Sequence, residues 1–334
     1  MNYLMLSVGR RGELMKNFRS SMEIGSKIIA GDNSPYAPAL YFADKQYLLP
    51  RIDAPEYIDI VLDICIKESI NAVMTFIDPE IMLLSENRKR FEKNGVEVLT
   101  PYEETARICF DKWRFAQYCT EHGILTARTY GTVIEAEKVL ENGDVNLPLF
   151  VKPRCGSGSI GARKINDIEE LKEAFRIDET LIAQEYMIGN DAIDLDADIY
   201  VDTISHEPVA IFLKKKLSTV IGGANKTISF KDENLFDFVK RSLQHFKFNG
   251  PIDADFFYKD GKYYLSEINP RFGGAYLHAY GAGVDFIKLI ENNLHGKRNK
   301  SDIGNYEEGV VMMMFDSVVI RRKKNGRELL EQIK

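Results

Sequence analysis

From Tyr3 to Leu99 short apolar runs alternate with amphipathic helical stretches, and this alternation constrains the fold of the 334-residue chain more than any other feature. Tyr3–Val8, Lys27–Gly31, Ala72–Phe76 and Val96–Leu99 read as strands, with helices expected at Glu13–Met22, Pro55–Ser69 and Glu80–Lys93. Strands that alternate with helices imply a parallel sheet with crossover helices. After Thr100-Pro101 the pattern changes. One helix is expected from Thr105 to His122, stopped by Gly123. Strands then dominate: Leu149–Lys152, Ala162–Ile165, Leu181–Tyr186, Ile193–Val201, Val209–Lys216, Ile252–Tyr258 and Tyr263–Asn269. Helices Ile168–Phe175, Asn234–Phe246 and Val284–Leu294 interrupt them. The fold class is therefore α/β followed by α+β, mainly antiparallel, with a boundary near 101–110.

Composition removes several classes of function. Apolar residues at 45% and charged residues at 28% suit a globular chain with a real core. A net charge of -6 gives no basic face for nucleic acid. The densest basic run, Arg321-Arg322-Lys323-Lys324, reads as a solvated surface. No stretch approaches the ~18 apolar residues of a membrane span, and no leader peptide is recognisable at the N-terminus. Cys65, Cys109, Cys119 and Cys155 form no C-x-x-C pair, which argues against zinc and fits a reducing cytoplasm.

Two stretches carry chemistry. Gly156-Ser157-Gly158-Ser159-Ile160-Gly161 contains G-x-G-x-x-G, but Ala162–Ile165 behind it reads as a strand. A dinucleotide fingerprint must open a helix, so an NAD-dependent oxidoreductase is disfavoured. Ala162-Arg163 stands where a P-loop needs Lys-Ser/Thr. What remains is a glycine loop between two strands, whose amides can close over phosphates while Lys152 at its base supplies a point charge.

The second stretch is Ile252–Arg271. Glu267 and Asn269 share one strand face. A three-residue loop, Lys259-Asp260-Gly261, would set Asp253 opposite Glu267 with Asp255 as its diagonal neighbour on that face; a two-residue Asp260-Gly261 loop would put Asp255 and Glu267 on opposite faces. The first register gathers Asp255, Glu267 and Asn269, hard oxygen ligands that suit Mg²⁺. Arg271 follows and can clamp a phosphoryl or carboxylate group.

Other stretches say less. Gln184–Met187 is a strand leading into a turn that could face an adenine edge. Asp194-Leu195-Asp196-Ala197-Asp198 begins like a calcium loop, but Ile199 and Ser205 stand where Gly and Glu are needed. Its alternation makes it a strand, with Asp196 and Asp198 expected at solvent. The five histidines show no ligand spacing; His278, near Arg271 and Gly273-Gly274, is expected to be structural.

Lys112, Val151-Lys152-Pro153 with the glycine loop, Gln184–Met187, Asp255-Phe256 and Glu267-Ile268-Asn269-Pro270-Arg271, in this order, resemble the ATP-grasp superfamily over roughly residues 105–295. Gly9-Arg10-Arg11-Gly12 and Glu267–Gly274 look most like the carbamoyl phosphate synthase large-subunit group and its short, single-unit relatives. The resemblance implies a parallel α/β pre-ATP-grasp domain at 1–106, a lid subdomain at 107–188, and a catalytic subdomain with C-terminal tail at 189–334. It implies that Lys112 and Lys152 bind ATP phosphates, with Lys152 also touching adenine. Gly156, Ser157, Gly158 and Ser159 would form the lid, and Gln184, Glu185, Tyr186 and Met187 the adenine hinge. Asp191 stands one methylene short of the family's ribose-binding Glu. Asp255, Glu267 and Asn269 would hold Mg²⁺, with Mn²⁺ as its alternative, and Asn269 and Arg271 would serve the phosphoryl transfer.

One ATP-grasp unit cannot run the two-step carbamoyl phosphate synthase reaction. The reading is therefore a cytoplasmic ligase that activates a small carboxylate as an acyl phosphate for an amine or ammonia. A homodimer is left open, and neither a nucleic acid nor a membrane is a partner. Bicarbonate phosphorylation and a non-catalytic ATP-binding subunit are the alternatives. Substrate contacts are expected from Arg10 or Arg11, Lys214–Lys216 and Gly222-Gly223, with specificity in loops 214–227 and 272–283.

Overall fold

Alternate residues of the first strand serve two different cores. In β1 (Asn2–Leu6), Tyr3 and Met5 enter one apolar cluster, while Leu4 and Leu6 enter another. A parallel sheet covered on both faces favours such a near-continuous apolar run, here Tyr3–Leu6. The same alternation runs through β2 (Lys27–Asp32), with Ile28 and Ala30 on one side and Ile29 on the other. With β3 (Lys45–Leu48), β4 (Ala72–Thr75) and β5 (Glu97–Val98) these strands form a parallel sheet of order β3-β2-β1-β4-β5. Helix α1 (Gly12–Ser21) covers the first face through Met15 and Phe18. Helices α2 (Tyr57–Lys67) and α3 (Asp78–Glu92) cover the second through Val61, Ile64, Leu84 and Phe91. Each such fully buried side chain contributes roughly 1.5–3 kcal/mol. The strand order reverses between β1 and β4, so the loops after these two strands flank the crevice where such sheets bind ligands.

This computed structural model describes residues 1–156, 161–188, 192–220 and 223–321. The single helix expected over Thr105–His122 is two: α4 (Glu103–Phe110) and α5 (Lys112–Glu121). Asp111 divides them. Its backbone is extended, and its carboxylate accepts from the Trp113 and Arg114 amides, capping α5.

A four-stranded antiparallel sheet follows, of order β6-β9-β7-β8: β6 (Thr129–Tyr130), β7 (Leu149–Pro153), β8 (Arg163–Ile165) and β9 (Leu181–Glu185). Helices α6 (Val133–Glu141) and α7 (Ile168–Ile177) share a separate core with it through Ala136, Leu171 and Ala174. The remaining strands are β10 (Ile193–Val201), β11 (Pro208–Val220), β12 (Gly223–Phe230), β13 (Gly250–Lys259), β14 (Lys262–Asn269) and β15 (Val311–Met313). They pair antiparallel in the order β14-β13-β10-β11-β12-β15. The segment 214–227, expected as a specificity loop after a strand ending at Lys216, is strand at 214–220 and 223–227, because β11 continues past Lys216 and pairs with β12 from Leu213 opposite Phe230 to Val220 opposite Gly223. Leu195, Ala197 and Ile199 turn one face of this sheet toward α8 (Glu233–Leu243) and its Leu235 and Val239. That core is continuous with Tyr3, Met5 and Phe18 of the first unit and with Phe286 of α10 (Phe286–Leu294), which follows the short α9 (Leu277–Gly281).

Candidate active site

The β13–β14 hairpin turns through two residues, Asp260 and Gly261, with φ of 50° and 74°. Two consecutive positive φ values are what a tight hairpin turn needs. The expected three-residue loop is therefore wrong. Lys259 pairs with Lys262 and Phe256 with Leu265, after which the register shifts. Ser266 is the extra residue of a bulge. It restores Asp255 opposite Glu267 and Asp253 opposite Asn269. The three oxygen-bearing side chains thus share a face by a route the turn alone would have forbidden.

Strand β10 extends that face. Asp196 lies opposite Asp255 and Asp198 opposite Asp253, with Lys214 of β11 on the other side of Asp196. Neither Asp196 nor Asp198 meets solvent; they are 4% and 0% exposed, which corrects the expected solvated face. The reason is Lys214, itself wholly buried, whose ammonium sits 3.1 Å from Asp196 Oδ1 and bonds Asp198 Oδ2. Buried carboxylates persist where such a counter-ion faces them. Burial pushes Asp196 and Asp198 up to about 6, with Lys214 pulling the other way. Burial also works against the Lys214 charge, but Asp196, Asp198 and Asp253 hold its pKa above the usual lysine value. Lys216 spans Asp194, at 3.1 Å, and Asp255. Lys215, the third lysine expected at substrate, is exposed.

Across from this face stand β7 and β9. Lys152 leaves β7 opposite Ile182, and burial lowers its pKa, with Glu267 drawing it back up. Lys112, first residue of α5, donates to the Gly156 carbonyl and so ties the start of the glycine loop to the helix that Asp111 caps. Asp111 also pairs with Arg154 at 2.6 Å.

A cavity of about 540 Å³ lies between the two sheets, within the size range of small-molecule sites. It is lined by Lys112, Lys152, Gly156, the run Gln184–Met187, Asp255 and Glu267. Gln184 lines it as well, with its side-chain Nε2 donating to Thr129 Oγ1 at 2.9 Å. Asn269 lines an adjoining cavity of about 30 Å³ with Asp78, Lys112 and Glu267. Arg271 lies just beyond, 3.5 Å from Asp78 and 3.7 Å from Asp253. Ser157, Gly158, Ser159, Asp191 and Gly222 lie outside the described residues, as do Arg322, Lys323 and Lys324. Gly223 opens β12 and is exposed, and Arg10 is a surface residue 3.6 Å from Asp316.

Sequence reasoning passed over Asp78 and gave Asp253 no role. Asp78 belongs to the loop-to-helix step after β4, Asp78-Pro79-Glu80, at the C-terminal edge of the parallel sheet. That position was the available signal. His278 is structural as expected: Nδ1 meets Thr227 Oγ1 at 2.7 Å and Nε2 the Val310 carbonyl at 2.9 Å.

The donor set suits a divalent cation of the magnesium type. Asp255 and Glu267 face each other, Asn269 adds an amide oxygen, and Asp255 already draws the Lys216 ammonium. Among the described residues no group of three or more His, Cys, Asp or Glu is arranged to hold a metal alone. A site of two carboxylates and one amide leaves room for phosphate oxygens and water, as Mg²⁺ prefers.

Comparisons with known proteins speak for the family and the fold. Residues 109–275 match the model of the ATP-grasp domain, and residues 3–99 match that of the PylC-like N-terminal domain. The formate-dependent phosphoribosylglycinamide formyltransferase of Haloquadratum walsbyi is 23% identical over 78% of this chain and 66% of its own length. The D-alanine–D-alanine ligase of Nitratiruptor is 26% identical over 59% and 60%. The 3-methyl-D-ornithine–L-lysine ligase of Methanosarcina mazei is 27% identical over 51% and 39%. The chain thus spans less than two thirds of the length of these curated relatives. Among solved structures, N5-carboxyaminoimidazole synthetase from Staphylococcus aureus superposes with a TM-score of 0.73 at 17% identity, covering 93% of this chain and 81% of that one. The biotin carboxylase domain of Hydrogenobacter thermophilus 2-oxoglutarate carboxylase, in complex with MgADP and bicarbonate, gives 0.72 at 17%, covering 92% and 73%. At such identity the likeness speaks for the fold. Among the described residues no helix is long and apolar enough to cross a membrane.

Proposed function

The chain belongs to the ATP-grasp family, and from that premise we propose that it is an ATP- and Mg²⁺-dependent ligase that activates a carboxylate as an acyl phosphate for attack by an amine or ammonia. The carrying observation is the pairing of Asp255 opposite Glu267, with Asn269 and Arg271 behind them, across one cavity from Lys112 and Lys152.

In this reading Lys112 and Lys152 hold the phosphates as point charges, and the run from Gln184 to Met187, which lines the cavity, receives the adenine. Asp255, Glu267 and Asn269 would hold Mg²⁺, which neutralises phosphate charge when bound. A carboxylate oxygen of the acid attacks the γ-phosphorus, and ADP leaves. Arg271 offsets the charge on the transferring group. Such a step asks the protein for position and charge. The amine nitrogen then attacks the acyl carbon and expels phosphate. Gly156, which opens the glycine loop, lines the cavity beside Lys112, and excluding water there would protect the acyl phosphate. The three-part division at 106 and 188 belongs to the same proposal, as does a reducing cytoplasmic setting, in keeping with four unpaired cysteines.

The test is ADP release from Mg-ATP across a panel of carboxylates and bicarbonate, each with and without ammonia or amino acids. Release that depends on one carboxylate, and is lost in Glu267→Ala, supports the ligase. Release with bicarbonate alone would favour carboxyphosphate chemistry instead. Tight ATP binding without release for any acid would make the chain a nucleotide-binding subunit.

A further inference from the structure

The chain places a cation of its own on a carboxylate assigned to the metal. Lys216 of β11 lines the cavity of about 540 Å³ together with Asp194, Asp255 and Glu267. Its ammonium donates to Asp255 Oδ1 and stands 3.1 Å from Asp194 Oδ1. Asp255 in turn lies opposite Glu267. One of the two carboxylates of the seat is therefore neutralised from within the chain. Lys214, two positions earlier on the same face, differs: it is wholly buried between Asp196 and Asp198 and is not among the residues lining the cavity.

The two partners of Lys216 are not equivalent. Asp255 is the inner one, with a side chain 20% exposed; Asp194, near the start of β10, is 34% exposed. Only Asp255 faces Glu267 and can share a cation with it. A divalent ion between Asp255 and Glu267, and an ammonium on Asp255, are like charges side by side where little water screens them. They cannot both be held well. A buried ammonium without a partner is itself costly, and Asp194 removes that cost. Rotation about the four-carbon lysine stem is enough to keep the charge on Asp194 when it leaves Asp255. The parts are those of a two-position exchange: one flexible cation and two carboxylates, one of which is wanted by the metal.

We propose that Lys216 is an internal counter-ion that competes with the metal: it holds Asp255 until a divalent cation displaces it onto Asp194, and this competition weakens binding of the bare ion. This rests on the reading of Asp255, Glu267 and Asn269 as metal ligands, and not on the identity of the acid or the amine. Its consequence is an order of events. Phosphate oxygens add the ligands and negative charge that outweigh the lysine, so the cation enters with the nucleotide and does not wait in the site ahead of it.

The test titrates the full chain with Mn²⁺ in the absence of nucleotide and follows the loss of the free ion's EPR signal. Lys216→Met should tighten Mn²⁺ binding about tenfold or more. Asp194→Asn, which leaves the lysine no second partner, should weaken it. In the Lys216→Met background the same Asp194→Asn change should have a smaller effect, the coupling that a double-mutant cycle isolates. Asp194→Asn alters a partly exposed group, so it tests the exchange even where Lys216→Met does not fold. Glu267→Ala in the Lys216→Met background should abolish the gain. Mn²⁺ affinity that is unchanged or weaker in Lys216→Met, unchanged or tighter in Asp194→Asn, or equally affected by Asp194→Asn in both backgrounds would each overturn the exchange. So would gained Mn²⁺ binding that survives Glu267→Ala, which puts the ion elsewhere. Wild type that releases no ADP with any acid, while these Mn²⁺ shifts are seen, would sink the ligase reading and leave the exchange standing. Acid-dependent ADP release by wild type, with Mn²⁺ affinity unmoved by Lys216→Met, would do the reverse.

Discussion

A single buried ammonium governs the acid face of the large sheet. Lys214 has no exposed surface and bridges Asp196 and Asp198. Its replacement by methionine leaves two buried carboxylates without their cation, a change that typically costs about 3–5 kcal/mol. Denaturant unfolding of Lys214→Met should show that loss, and an unchanged midpoint would refute the role. None of this was legible from the alternation of Asp194 to Asp198. Period two shows that three acids share a face, but not that a lysine from the next strand closes over it. Glu267, Asn269 and Arg271 were legible because carboxylate, amide and guanidinium within five residues have few structural uses. Asp78 was not, since its pairing with Arg271 crosses almost two hundred positions of chain.

At the scale of elements, the hairpin and the loop after it decide where the chemistry sits. The two-residue turn was readable from Asp260-Gly261, yet the bulge at Ser266 has no residue signature, and it alone returns Glu267 to the face of Asp255. The break at Asp111 was missed for a related reason: apolar spacing carries on through a cap whose evidence is a pair of backbone bonds. Gly273 is held to glycine by its surroundings. A Cβ there would lie 2.5 Å from Asp198 Oδ1 and 2.6 Å from Asp253 Oδ1. Gly273→Ala should shift the Arg271–Gly274 loop and reduce ADP release far more than it reduces stability, for which overpacking of this kind costs about 1–3 kcal/mol. Activity near wild type in a folded Gly273→Ala protein would contradict the placement of this loop.

Over the whole molecule, the first parallel sheet and the six-stranded sheet share one apolar core, while the four-stranded sheet keeps its own. The alternating pattern announced the parallel sheet, but its packing on the second sheet depends on contacts such as Phe18 with Phe272, which no local period encodes. This common core contains His278 at its border, where burial lowers the imidazole pKa from 6.5 to about 4. The unfolded chain therefore binds a proton there that the folded chain refuses. Stability should fall as pH drops from 6.5 toward 4 and lose nothing from this group above 6.5. Denaturant midpoints across that range should decline less steeply in His278→Gln than in wild type; parallel profiles would exclude the assignment. The central claim is that phosphoryl transfer to a carboxylate precedes bond formation with the amine. The direct measurement gives the enzyme its acid labelled with ¹⁸O in the carboxylate, together with Mg-ATP and amine, and examines the released phosphate by ³¹P NMR. An acyl phosphate carries one acid oxygen into the phosphate, so each turnover should yield singly labelled phosphate. Unlabelled phosphate, with all the label left on the acid or its product, would contradict the account.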